Sequence, residues 1–440
     1  MPRCYSALIC YNLAMDYVSQ VMGYISDEER RQAEGLELIP SENYVSKDVR
    51  EAVASVFTNK YSEGYPGRRY YGGQQNTDRV EQLAIDLAMQ LFRADHANVQ
   101  PHSGATANEA VYNSWLELGD TVLAMDLSHG GHLTHGAPVT KLAQQFNFIR
   151  YRMKDIETGE IDFDELSDLA KKHKPKIILA GYSAYPRELN YDLFAQVGND
   201  VGAVLVADIA HIAGLIAAGV MKNPLDSGFH VLSSTTHKTL RGPRGGLILS
   251  NGTVSNPLKA PEKTINNLPT LIDRTVFPGL QGGPLMHVIA GKAVCFAEAL
   301  RPEFRIYAEQ ILKNAKALSH ELMALGCKLV TNGTDNHLML IDTVTSFKLD
   351  GSVVEDVLDR VGLTLNKNAI PDDPNPPFKP SGVRLGTPAI TTRGAKESDM
   401  KDLASWIVGA IKARNDDKEL SRIASEVRDF SKKLLNPTEI

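Results

Sequence analysis

The chain has 440 residues, 43% hydrophobic and 23% charged, the balance of an ordinary globular protein rather than a disordered, collagenous or disulfide-stapled one. Lys plus Arg number 47 against 53 Asp plus Glu, a net charge of −6, which gives no support to nucleic-acid binding, because that needs clustered positive charge. No run reaches the ~18 apolar residues of a membrane helix, and the length predicts two or three domains.

The N-terminal stretch MPRCYSALICYNLAMDYV carries one early arginine and a short apolar run at 7–10, interrupted by Asn12 and Asp16. It reads as an arm rather than a signal peptide. Cys4, Cys10, Cys295 and Cys327 form no C-x-x-C pair and read as free thiols of a cytoplasmic protein. Residues 1–50 read as helical and irregular lead-in, with Ser26-Asp27-Glu28-Glu29 as a helix start. From about residue 80 helix and strand alternate. Val80, Leu83, Ala84, Leu87 and Leu91 give 78–92 helical spacing. A short strand ends at 99–100, 104–118 is a helix, and 121–125 is a strand. A helix over 166–172 precedes a strand over 176–180. The run AVLVA at 203–207 suits a buried parallel strand, and further strands follow at 231–234 and 246–249. The stretch 252–284 is rich in Pro, Gly and Asn and reads as a loop of a length uncommon without function. Helices over 284–299 and 304–325 follow, then strands near 328–330 and 337–341 and a helix over 353–361. A proline-rich loop at 371–380 and helices over 397–414 and 420–434 close the chain. The alternation predicts an α/β layered sheet, divided into an arm (1–50), a large domain (51–300) and a small C-terminal domain (301–440).

Four segments carry chemistry. In Ser234-Thr235-Thr236-His237-Lys238-Thr239-Leu240-Arg241-Gly242 a lysine sits between an apolar strand and a Gly-rich turn. Strand ends of such sheets face the ligand crevice, where a desolvated lysine can be a Schiff-base nucleophile; taken alone, Lys238 reads better as a surface lysine. The second segment shifts that balance. Val206-Ala207-Asp208-Ile209-Ala210-His211 places Asp208 at the end of the AVLVA strand, 238 − 208 = 30 residues before the lysine, about one βαβ unit. An aspartate there can keep a pyridinium nitrogen protonated, or can be a helix cap or half of a buried pair. Asp, His and Lys at successive strand ends are harder to explain as packing. The third, Pro101-His102-Ser103-Gly104-Ala105-Thr106-Ala107-Asn108, lies at a strand-to-helix junction. Small residues there bare backbone N–H groups to a phosphate, although many helices begin Ser-Gly. The fourth, Ser128-His129-Gly130-Gly131-His132-Leu133-Thr134-His135-Gly136, holds three histidines. Their spacing gives no helical H-x-x-x-H face and no acidic ligand is adjacent, so a ring stacked on a flat cofactor is the better reading and no metal is expected.

With these segments in hand, the sequence resembles the serine hydroxymethyltransferase family of fold-type I pyridoxal 5′-phosphate (PLP) enzymes. The likeness runs from about Glu34 to the C-terminal helices. It is carried by LELIPSEN (36–43), YSEGYPGRRYYGG (61–73), HSGATAN (102–108), SHGGHLTHG (128–136), DIAHIAGL (208–215), TTHKTLRGPRGG (235–246), FPGLQGGP (277–284) and SGVRLGTPA (381–389). The resemblance implies an aspartate-aminotransferase-like fold, with a mostly parallel seven-stranded sheet in the large domain and a smaller α+β domain.

It further implies that Lys238 forms the internal aldimine, that Asp208 pairs with the pyridine nitrogen, that His211 contacts the 3-hydroxyl, and that His132 stacks on the ring. Ser103, Gly104, Ala105 and His237 fall at phosphate-holding positions, and Ser183 and Thr235 at further cofactor contacts. Tyr61, Gly282 and Gly283 would reach the phosphate of a neighbouring subunit. Arg384 would clamp the amino-acid carboxylate through two parallel hydrogen bonds, helped by Ser41. Glu63 would move a proton near the hydroxymethyl group, with a pKa that burial can raise. Tyr71 would sit beside the substrate and Tyr70 near the folate. Leu127, Gly131, Leu133, Asn368 and Phe378 occupy folate positions. The implied reaction is the reversible conversion of L-serine and tetrahydrofolate to glycine and 5,10-methylenetetrahydrofolate. The implied assembly is a homodimer that shares active sites through Glu63 and Tyr71, with neither nucleic acid nor membrane as partner.

The chain departs from the family pattern at HSGATAN (for HSGSQAN), where Ala105 loses a hydroxyl that Thr106 could replace. It departs again at Pro40, at GGQQN (72–76, for GGCEY) and at Pro376-Pro377-Phe378. Two alternatives stand beside the leading reading: a PLP-dependent aldolase of threonine-like β-hydroxy amino acids, and the same transfer to a modified pterin. A non-catalytic scaffold is disfavoured, because Lys238 and Arg384 are both present.

Overall fold

The computed structural model describes residues 4–256 and 259–440, with side chains from Tyr17 onward. Residues 1–3, the opening of the expected arm, lie outside the described residues, as do the side chains of Cys4 and Cys10. Cys295 and Cys327 are free and buried. A 31-residue helix, Cys4–Glu34, runs straight through 26–29. The expected helix start there is therefore mid-helix. Asp27 and Glu28 pair with Arg30 and Arg31 three residues on, as neighbours on one helix face do.

Seven strands form the central sheet of the described residues: β1 His96–Asn98, β2 Thr121–Met125, β3 Asn147–Tyr151, β4 Ile177–Gly181, β5 Val204–Asp208, β6 Val231–Thr235 and β7 Gly246–Ser250. Their order is β1-β7-β6-β5-β4-β2-β3. Only β7 runs antiparallel to its neighbours; the other pairings are parallel. The cause lies in the sequence: β4 to β7 are five-residue runs buried at every position, as strands covered by helices on both faces must be. Edge strand β3 has mixed exposure and lacks that continuous apolar signal. Several boundaries move by a few residues. The strand expected to end at 99–100 ends at Asn98, and helices span Gln75–Phe92 and Gly104–Trp115.

The stretch 252–284 is not one loop. It contains a helix, Leu268–Arg274, with Pro269 in its first turn, where a missing N–H costs nothing. Leu268, Ile272 and Val276 from this stretch join the core beneath the sheet, which gives the segment its reason to order.

A second, four-stranded antiparallel sheet contains β8 Lys328–Leu329, β9 Leu338–Asp342, β10 Asn366–Asn368 and β11 Gly382–Gly386, in the order β8-β9-β11-β10. Its core takes in Leu36 and Leu38 together with residues 315–427. Leu36–Glu37 pairs in parallel with Leu363–Thr364, so the first segment of the chain is built into the last. Helix Pro302–Ala324 joins the two cores. Phe304, Tyr307 and Ile311 pack under the central sheet, and Ala315, Leu318 and Leu322 pack under the second. Among the described residues no helix is long and apolar enough to cross a membrane.

Candidate active site

The C-terminal ends of β4, β5 and β6 open on one cavity of about 290 Å³, near the size of a small-cofactor site. Ser41, Ser103, Gly104, Ala105, His132, Ser183, Asp208, His211, Thr235, His237, Lys238 and Arg384 all line it. The structure thus brings together twelve of the residues singled out in sequence, from both sheets.

Asp208 closes β5 and is 8% exposed. Its Oδ2 accepts hydrogen bonds from Asn108 Nδ2 at 2.9 Å and His135 Nε2 at 3.0 Å, and its Oδ1 accepts from the Ala210 N–H at 3.1 Å. His135 Nδ1 accepts the His132 N–H at 3.1 Å, so Nε2 carries the proton and donates. Burial would raise the Asp208 pKa, but the hydrogen bonds donated by His135 and Asn108 hold it well below the usual carboxylate range. Asp208 is therefore a fixed carboxylate with one Oδ1 lone pair left for the cavity.

His132, His135 and Asp208 converge within 4.8 Å. The sequence argument that no acid lies beside these histidines is corrected: the acid comes from 73 residues further along. Both ring nitrogens of His135 are nevertheless engaged as described, and His132 Nδ1 lies 2.7 Å from Thr134 Oγ1. Burial keeps His132 neutral, with a pKa lowered to about 4.

Lys238 lies three residues beyond β6 and is 9% exposed. Burial lowers its ammonium pKa to about 8, against the pull of Asp208, with Arg384 and Arg244 adding to the lowering. Arg384, on β11, is equally buried. Its Nη1 donates to Ser183 O at 2.6 Å and its Nε to Asn366 Oδ1 at 3.2 Å, which aims the guanidinium at the cavity. Burial lowers its pKa to about 10.

The phosphate end is a cradle of small residues. Ser103 caps helix Gly104–Trp115 in a capping box with Thr106. A Cβ at Gly104 would lie 2.7 Å from Thr235 Cγ2, and one at Gly246 would lie 2.3 Å from Ser103 O. His237 lines this end, and its buried Nδ1 has no partner. A helix N-terminus, an unsatisfied imidazole and an amine opposite a carboxylate match the phosphate, aldehyde and pyridine nitrogen of PLP. One expectation fails. The Thr106 hydroxyl does not replace the one lost at Ala105, because it accepts the Ser103 N–H at 3.0 Å and donates to Ser103 O at 2.9 Å.

A second group lies apart from the cavity. Glu63 Oε2 accepts from the Tyr71 hydroxyl at 3.1 Å, and its Oε1 from Tyr61 at 3.4 Å. The two tyrosine rings meet edge to face at 5.4 Å, and the Glu63 hydrogen bond raises the Tyr71 pKa. Gly282 and Gly283 press against this group: a Cβ on either would come within 3.3 Å of Glu63 Oε1 or the Tyr61 ring. Tyr70 packs edge-on against Phe277 at 5.8 Å. Tyr61, Tyr70 and Tyr71 are 60%, 59% and 48% exposed. Leu127 and Leu133 are exposed on the loop that carries His132, Phe378 is 85% exposed on the proline-rich loop, and Asn368 ends β10. Gly131 is required by close packing, since a Cβ would lie 2.4 Å from Met125 O. None of these lines the cavity within one chain.

Sequence reasoning assigned nothing to Asn108, His135, Tyr182 or Arg244. All but Tyr182 sit inside quoted motifs, so position beside Ser103, His132 and Lys238 was the available signal.

The model of the serine hydroxymethyltransferase family matches residues 15–407. The chain is 51% identical over 417 residues to the serine hydroxymethyltransferase of Xanthomonas campestris pv. campestris (strain B100), covering 95% of this chain and 96% of that protein. It is also 51% identical over 411 residues to serine hydroxymethyltransferase 1 of Pseudomonas aeruginosa, covering 93% and 95%. On fold, cavity and likeness alike, the chain belongs to the serine hydroxymethyltransferase family, PLP-dependent transferases with tetrahydrofolate as co-substrate.

Proposed function

We propose that the cavity holding Lys238, Asp208 and Arg384 is where this chain performs the family reaction, the reversible conversion of L-serine and tetrahydrofolate to glycine and 5,10-methylenetetrahydrofolate. The observation that carries this reading is the convergence of an amine, a carboxylate and a guanidinium, all buried, on one space. PLP, when bound, supplies an electron sink that takes up negative charge at the amino-acid α-carbon while the Cα–Cβ bond breaks.

The protein supplies the rest. Lys238, with its ammonium pKa brought down to about 8, is neutral often enough at mild pH to be the amine that would hold the cofactor aldehyde. Asp208, held as a carboxylate by Asn108 and His135, would keep the cofactor's ring nitrogen protonated. His132, a neutral imidazole, would stack on the cofactor ring, and His211 would contact its 3-hydroxyl. The Ser103–Ala105 turn, Thr235 and His237 would hold the phosphate, with backbone N–H groups carrying the task that the side chains of Ala105 and Thr106 cannot. Ser183 braces Arg384 and would contact the cofactor, and Arg384 would hold the substrate carboxylate with Ser41.

Glu63 moves the proton of the departing hydroxymethyl group, with Tyr71 beside it. Their distance from the cavity of their own chain supports a homodimer in which the Tyr61–Glu63–Tyr71 group serves the partner's site and Gly282 and Gly283 support the partner's phosphate. Adjoining the cavity is an apolar groove of about 600 Å³ that includes Val45, Val49, Val53 and Val288 and shares Ser41, His237 and Arg244 with it. A second copy would cover that groove. Tyr70, Leu127, Gly131, Leu133, Asn368 and Phe378 would border the folate. The buried free thiols fit a cytoplasmic location.

The test is product analysis with purified protein, PLP and serine. Glycine and 5,10-methylenetetrahydrofolate should form together only when tetrahydrofolate is added. Rapid threonine cleavage without folate, and none of serine with it, would transfer the site to the aldolase reading.

A further inference from the structure

Directly behind His211 lies a second imidazole that the site as read above does not use. His337 precedes β9 and is fully buried. Its Nε2 is 3.1 Å from His211 Nδ1, and the two rings stack at 5.3 Å between centroids with 24° between planes. Burial, with the positive charges of Lys238 and Arg384 nearby, keeps both rings neutral: His211 well below its ordinary pKa and His337 at about 3. Two neutral rings joined nitrogen to nitrogen share one proton, so one nitrogen donates and the other accepts.

The far end of the pair decides the direction. His337 Nδ1 is buried without a partner. If it carried the proton, a buried N–H would be orphaned, which is rarer than an under-used acceptor. The proton therefore belongs on His337 Nε2, which donates to His211 Nδ1. That leaves the His211 proton on Nε2. His211 lines the cavity and His337 does not, so the free N–H belongs to the cavity side. A phenolate-like oxygen there meets a donor rather than a lone pair.

We propose that His337 is a positioning residue that fixes the tautomer of His211, so that His211 always presents an N–H to the cofactor's 3-oxygen. This rests on the PLP reading of the cavity for the identity of the acceptor, though not for the tautomer itself. The pair also joins the two sheets. The His337 carbonyl accepts the Thr387 N–H at 3.1 Å, just past the strand that carries Arg384. The group that orients His211 and the group that would clamp the substrate carboxylate therefore sit on one framework.

Two measurements test it. In the cofactor-free protein, ¹⁵N chemical shifts of labelled histidines should show His211 protonated at Nε2 and bare at Nδ1; a proton on His211 Nδ1 overturns the proposal, whatever the cofactor does. In the PLP-loaded protein, His337→Phe keeps a ring but removes the donor, whereas His337→Gln places an amide N–H near the former Nε2. The ratio of the cofactor's long- to short-wavelength absorption bands should fall about tenfold in His337→Phe, the worth of one hydrogen bond to a charged acceptor, and recover in His337→Gln. An unchanged ratio in His337→Phe overturns the proposal. Should borohydride fail to fix any cofactor to Lys238, the PLP reading falls instead, and the cofactor-free tautomer still decides the role of His337.

Discussion

Two parts of the site differ in how much of their environment one chain provides. Asp208 is buried, with three hydrogen bonds and a pKa held down by named partners. Glu63 is half-buried, and the hydrogen-bonding side chains around it are two exposed tyrosines. The first carboxylate has nothing left to gain but a ligand. The second still has a surface to lose, and burial is what would tune it as an acid. A group finished within the chain has a fixed charge, whereas a group left open at the surface gets its chemistry from whatever covers it.

Three substitutions probe that contrast, the largest effect first. Lys238→Ala should abolish covalent cofactor capture outright; mass spectrometry after borohydride reduction would show cofactor still attached if another residue did the task. Arg384→Ala should weaken serine and glycine binding by about 100-fold, the scale of a charge-assisted hydrogen-bonded pair lost from a buried site. Titration calorimetry reads this, and unchanged affinity would move the clamp elsewhere. Glu63→Gln should leave PLP binding intact but slow folate-dependent turnover by about 100-fold, the usual share of one positioned acid–base group. Mixing sharpens the third case. In a Lys238→Ala/Glu63→Gln mixed dimer, shared sites leave one complete site and about half of native activity. Sites confined to single chains would leave only the residual rate of the Glu63→Gln subunit.

The buried half of the site is also the half that sequence makes legible. Asp208 follows the apolar run 203–207, so its place at a strand end can be read directly from pattern; Lys238 follows Val231-Leu232-Ser233-Ser234-Thr235, whose hydroxyls weaken that signal, and takes its meaning from Asp208 thirty residues earlier. Arg384 could be assigned only through the family likeness, because Gly-Val-Arg-Leu-Gly is too short and too glycine-bounded to announce a strand, yet Gly382–Gly386 is buried throughout. The helix at Leu268–Arg274 was hidden by composition, since a proline in the first turn looks the same in sequence as a proline that breaks a helix. Counting hydroxyls in HSGATAN could not say which way Thr106 points; the unpaired N–H of Ser103 took it. The contacts furthest from legibility join distant segments, His135 to Asp208 across 73 residues and His211 to His337 across 126. Periodicity carries no information on such pairs.

The smallest expected effect is a pH dependence, and it separates a finished site from an open one. Only a neutral amine attacks an aldehyde, so capture of PLP by the cofactor-free protein must rise with pH as Lys238 loses its proton. With its pKa lowered to about 8 by burial, the capture rate should climb about tenfold from pH 7 to pH 9 and then level off. An unshifted lysine, with a pKa near 10.4, would climb about 100-fold over the same range without levelling. Stopped-flow absorbance at the cofactor band measures this directly. The lowering has a structural source in one chain, the burial of Lys238 beside Arg384 and Arg244, so the plateau should persist in Glu63→Gln. A plateau that moved with Glu63 would mean the two halves of the site are coupled, and that the partner's cover reaches the lysine as well.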